Sequence, residues 1–140
     1  MNFIKDAILE ASNATGCTVT QLNDDEASLI RERIEEKYAA TRGPSPLWER
    51  LEMDVSKYDP DGWRAIGDFP LSDMVTMFFD RENETTMYSV KSCSDVVELL
   101  SECPGFVFYI TDVNCSFLLC HNDHDYLIGT GEARDWVSGR

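Results

Sequence analysis

From Phe106 to Ile110 every side chain is apolar, so a strand built on this stretch has neither face free for solvent and belongs in the middle of a sheet. Phe117 to Cys120 reads the same way. The turn at Val113-Asn114-Cys115-Ser116 between the two runs makes them antiparallel neighbours. The rest of the chain is organised around this segment, Phe106 to Val137. It holds both histidines, two of the five cysteines and one of the three tryptophans. Tyr126 to Ile128 is expected to add a short strand. Thr130 is expected to cap a last helical turn that packs Trp136 and Val137 onto the sheet.

Upstream, the periodicity is helical. Ile4, Ala7, Ile8 and Ala11 predict a helix over residues 2–12, ended by Asn13 to Gly16. Thr18 to Leu22 is a connector or a short extended piece. Asn23 is placed to cap a second helix, with Asp24, Asp25 and Glu26 in its first turn and Gly43-Pro44 blocking its extension. Its apolar stripe is Ala27, Ile30, Ile34 and Tyr38, with Leu29 at the margin. Residues 44–73 are irregular, punctuated by four prolines and the turn sequence Asp59-Pro60-Asp61-Gly62. Within them Trp48 and Leu51 begin a short element, and Trp63, Ile66 and Phe69 pin the loop to the core or anchor a partner. A hairpin follows, from Met74 to Lys91 with Asp80 to Glu84 as its loop, and then a helix from Ser92 to Cys103 stopped by Pro104-Gly105.

Helices first and strands later predict a single α+β domain over residues 1–140: a helical part at about 1–43, the irregular 44–73, and a strand-rich 74–137. The expected architecture is an antiparallel sheet of about four to six strands with helices mainly on one face.

Charge narrows the classes of partner. The 12 basic and 26 acidic side chains give a net charge of −14. The first 70 residues carry 8 basic and 14 acidic groups and the last 70 carry 4 and 12, so the whole body is acidic. Such a field repels phosphate backbones and anionic membrane surfaces; it either draws in a basic protein or serves only to keep the protein soluble. Five scattered cysteines do not form a disulfide framework, and the first ten residues do not read as a signal peptide. The expected compartment is the cytoplasm.

Two sets of residues stand out as sites. Asp112, Asp123, Asp125 and Glu132, with Asp135 nearby, form an acidic surface if the chain closes back on itself, and Trp63 supplies an aromatic anchor for binding. His121 and His124, close to Cys115 and Cys120, are the metal-ligand alternative. Their spacings, Cys-x4-Cys and His-x2-His, do not match a zinc motif, and strand alternation sends Cys120 and His121 to opposite faces. His121-Asn122-Asp123-His124-Asp125 also has the composition of a catalytic corner, a histidine oriented by a carboxylate, but no nucleophile elbow or phosphate-binding loop accompanies it. No cofactor is expected.

The run Phe108-Tyr-Ile-Thr-Asp112, then Phe117-Leu-Leu-Cys-His-Asn-Asp-His-Asp-Tyr-Leu-Ile-Gly-Thr-Gly-Glu-Ala-Arg-Asp-Trp-Val137, resembles a group of small uncharacterised bacterial proteins. These in turn look distantly like the SUKH-type immunity proteins that neutralise polymorphic toxins. The resemblance covers roughly residues 74–137. It implies an α+β fold, no catalytic residues, and a protein partner that is often a basic nuclease. The Leu-Pro and Gly-Gly signatures of the SUKH N-terminal half are not found here. The expected function is therefore an acidic, non-catalytic immunity or inhibitor protein that occludes a basic partner such as a toxin. The alternatives are a small metal or His/Asp enzyme at the 121–125 corner, and a scaffold in which Trp48 or Trp63 anchors a peptide.

Overall fold

The two apolar runs become adjacent antiparallel strands, β5 (Phe108–Thr111) and β6 (Phe117–His121), in a computed structural model that describes residues 3–71 and 73–140. Met1, Asn2 (where the first helix was expected to begin) and Ser72 (inside the irregular stretch) lie outside the described residues. The other elements in chain order are α1 (Phe3–Thr15), β1 (Val19–Gln21), α2 (Asp24–Tyr38), α3 (Leu47–Arg50), β2 (Val55–Tyr58) and α4 (Gly62–Ala65), which runs into a 3-10 turn at Ile66–Asp68. Then come β3 (Val75–Phe78), β4 (Tyr88–Val90), α5 (Cys93–Ser101), β7 (Tyr126–Gly131) after β6, and α6 (Arg134–Ser138).

The described strands form one sheet in the order β1-β4-β3-β5-β6-β7-β2, with every pair antiparallel. β5 is the middle strand, as its all-apolar sequence requires. The fold is α+β, with seven strands where four to six were expected. Both edge strands come from the N-terminal half: β1, where Thr18 to Leu22 was expected as a connector or a short extended piece, joins β4, and the unexpected β2 joins β7.

Strand alternation sorts the core into two layers. Phe108, Ile110, Phe117, Leu119 and Leu127 point to one face, where α1, α5, α6 and the 3-10 turn cover them through Ile8, Val96, Leu99, Val137 and Ile66. Tyr109, Leu118, Cys120 and Ile128 point to the other, where α2 and α3 cover them through Ala27, Ile34, Tyr38 and Leu47. Most helices thus lie on the first face, while the longest one closes the second.

The helix boundaries follow local chemistry. Asn23 and Glu26 form a reciprocal capping box at the start of α2. The Ser92 side chain accepts from the Asp95 N–H at the start of α5. α2 is also bolted to the sheet by three long side chains. Arg31 donates to the Phe79 carbonyl, and Lys37 and Tyr38 both donate to the Cys115 carbonyl. Thr130 is not a helix cap. It lies buried inside β7 and donates to the Met53 carbonyl at 3.4 Å, and Ala133 takes the cap position of α6. Ile66 and Phe69 are buried and do pin the irregular stretch to the core. No described helix is long and apolar enough to cross a membrane.

Candidate functional site

Residues 122–125 form the turn between β6 and β7, and Asn122 locks it. The Asn122 carboxamide oxygen accepts from the His124 and Tyr126 N–H groups, each at 3.0 Å, and the side chain is almost fully buried. Asp125 holds φ at +64°, a left-handed conformation that aspartate tolerates better than most residues. The loop after β2 is clipped onto this turn at two points. The Asp59 N–H donates to the Asp125 carbonyl at 2.8 Å, and His121 Nε2 lies 2.9 Å from the Asp59 carbonyl. A carbonyl only accepts, so in the neutral ring Nε2 carries the proton and Nδ1 is left as an acceptor.

The corner separates two concavities. On the side of the first core layer lies a cleft of about 420 Å³ walled by Trp63, Phe106, Phe108 and Cys103, with His121 in its lining and Asp123 and Asp125 at the turn. On the other side lies a shallower groove of about 510 Å³ with Trp48, Leu51, Tyr126 and Ile128, rimmed by Glu49 and Asp54. Among the described residues no lysine or arginine lines either one. His124 belongs to the second. Its ring meets Trp48 edge-on at 5.6 Å, and Tyr126 meets Tyr58 of the edge strand in the same manner.

This geometry divides the residues singled out in the sequence. Trp63, Asp123, Asp125 and His121 come together at the first cleft. Asp112 and Glu132 do not join them. They lie at the opposite end of β6, so the expected single acidic surface is split in two. The physical reason is that β6 runs between its two turns, and the chain returns along β7 to place Glu132 beside the far one. Asp112 has a structural task there: its carboxylate accepts from the Ser116 N–H at 2.8 Å and from the Ser116 hydroxyl, fixing the turn of residues 112–116.

The structure divides the two histidines of the metal alternative between the two concavities. His121 is buried and faces the first cleft with Nε2 committed to a backbone carbonyl, whereas His124 is exposed and meets Trp48 edge-on across the turn. Cys120 points into the second core layer, away from His121, as alternation demands. Among the described residues the one converging trio of potential ligands is Cys17, Asp95 and Glu98, contributed by the α1–β1 connection and α5. All five cysteines are free. Burial pushes the Cys103 thiol, which lines the cleft, up to about 11, and holds Cys120 well above its ordinary range. A thiol that stays protonated is a poor nucleophile.

Three contributors escaped the sequence reading. Phe106 was read only as strand core, Cys103 only as the inner face of a helix, and Asp59 only as turn punctuation. The available signal was Pro104-Gly105, which swings Cys103 and Phe106 onto one wall of the cleft. No protein-family model, curated protein or solved structure matches the chain.

Proposed function

We propose that the protein is a non-catalytic binding module of the immunity or inhibitor kind, acting in the cytoplasm. The face built around the β6–β7 corner docks on a basic protein, a toxin being the leading candidate, and blocks it by occlusion. What supports this most is the make-up of the two concavities. Each has aromatic walls and carboxylates at its margin, and neither has a cation in its lining among the described residues. Aromatic anchors inside a polar rim are the usual anatomy of a binding hot spot.

The disposition of the basic residues adds to it. Arg42 and Arg50 are held bidentate by Glu32 and Glu35, while Arg31 and Lys37 are spent on backbone carbonyls. These contacts leave the net charge at −14, so the field at the surface stays negative. Exposed charges of this kind steer an encounter and are screened beyond about 10 Å at 0.1 M salt.

The test is capture of partners from native cells on the immobilised protein at low salt, followed by elution with high salt and mass spectrometry. A strongly basic protein released by salt is the expected outcome. Capture that ignores salt, or of acidic and neutral proteins only, removes the proposal.

A further inference from the structure

We infer that the Trp63 cleft is the seat for a single basic side chain of the partner, a lysine or arginine with its apolar stem inside and its cationic end at the turn. This rests on the docking function proposed above and specifies its contact. The cleft has the two-part chemistry of such a side chain. Trp63, Phe106 and Phe108 give it apolar walls suited to methylene groups. Its ionisable margin consists of Asp123 and Asp125, and the neutral form of the buried His121 ring, with Nε2 committed to the Asp59 carbonyl, has Nδ1 as an acceptor. These groups all accept hydrogen bonds, so a ligand rich in donors complements them. An ammonium or guanidinium has only donors and carries the opposite charge.

The indole is already engaged by a cation of the chain itself, so the partner's cationic end is received at the Asp123 and Asp125 carboxylates and Trp63 serves the seat only as an apolar wall. The Arg64 guanidinium lies 4.9 Å from the Trp63 ring centre, and Arg64 is not part of the cleft lining. A carboxylate side chain would meet Asp123 and Asp125, and a neutral aliphatic one would leave the acceptors unanswered. The turn that carries the two carboxylates is fixed by Asn122 and by the Asp59 clip, so the seat is formed before the partner arrives.

The experiment is an NMR titration of the whole protein with Nα-acetyl-lysine methylamide, Nα-acetyl-arginine methylamide and the neutral Nα-acetyl-norleucine methylamide. Shifts are expected at the Trp63 indole and at His121 and Asn122, with the better cationic amide bound about fivefold or more tightly than norleucine. The double variant Asp123→Asn with Asp125→Asn should lose that preference, and asparagine suits the left-handed φ of Asp125, so the turn is kept. A control that removes the same two charges elsewhere, Glu132→Gln with Asp135→Asn, should keep it. Equal binding of norleucine, or equal loss in the control, overturns the inference. So does a basic partner captured from cells that the Asp123/Asp125 variant retains at full strength, an outcome that leaves the docking function standing. Selective binding of the cationic amides with no basic partner captured supports the seat and removes the immunity reading.

Discussion

Gly131 shows how tightly the far end of the sheet is built. Its φ is +63°, and a Cβ at this position would lie 2.5 Å from the Tyr38 hydroxyl and 2.7 Å from the Ser116 carbonyl. Gly131→Ala should cost about 2–4 kcal/mol through left-handed strain plus backbone overlap, read as a drop in the urea midpoint. Tyr109 is a second such point. Its hydroxyl donates to both oxygens of the buried Asp80 and accepts from the Trp48 N–H, and burial drives its ionisation far upward. Tyr109→Phe strips Asp80 of one donor and should destabilise by about 2 kcal/mol in the same assay. Neither site was legible in the sequence, because a lone glycine or tyrosine in a strand carries no mark of what the other face brings against it. The alternation that separates Cys120 from His121 was legible, since it depends only on the period of a strand.

Elements with a local cause were read well and those with a distant cause were not. The start of α2 came from Asn23 and its acidic first turn and its buried face from its stripe, all of which act within the helix itself, whereas its end at Tyr38, ahead of the expected block at Gly43-Pro44, was not read. Asn23→Ala should therefore lower stability by about 1 kcal/mol, seen in thermal or urea unfolding, with little effect on binding at the corner. Strand β2 was missed. Val55-Ser56-Lys57-Tyr58 is short, half polar and mostly exposed, and it is extended because β7 offers it a ladder. The same applies to the candidate site. The His121–Asp125 corner stood out by composition, but its cleft is completed by Trp63 from α4 and Phe106 after α5. Conversely, Asp112 and Glu132 looked close to the corner in sequence and are held away from it by the length of β6.

At the scale of the molecule, both faces of the sheet are covered and several ionisable groups are wholly or partly buried beneath the helices. Burial raises Cys93 and Cys103 from 9.0 to about 11, and Tyr88 from 10.0 to about 12. All three are neutral when protonated. The unfolded chain gives up these protons at the ordinary values and the folded chain only at the raised ones. The stability they contribute is complete below pH 9 and drains away as pH rises through 11 to 12. Urea midpoints measured from pH 8 to pH 11 should fall progressively above pH 9. Replacing Cys93 with alanine should flatten part of that slope.

The placement of the two edge strands has a consequence for how the chain reaches this state during synthesis. β3 and β4 form a hairpin, β5 to β7 a meander, and β5 reaches back past β4 and α5 to pair with β3, while β1 waits for β4 and β2 waits for β7. The N-terminal half thus leaves the ribosome with both of its strands unpaired, and they must stay free of wrong partners until β4 emerges for β1 and β7 for β2. Its dense acid is suited to that interval, since like-charged nascent segments repel one another. The negative charge that would later attract a basic partner would first act as the chain's own protection against premature association.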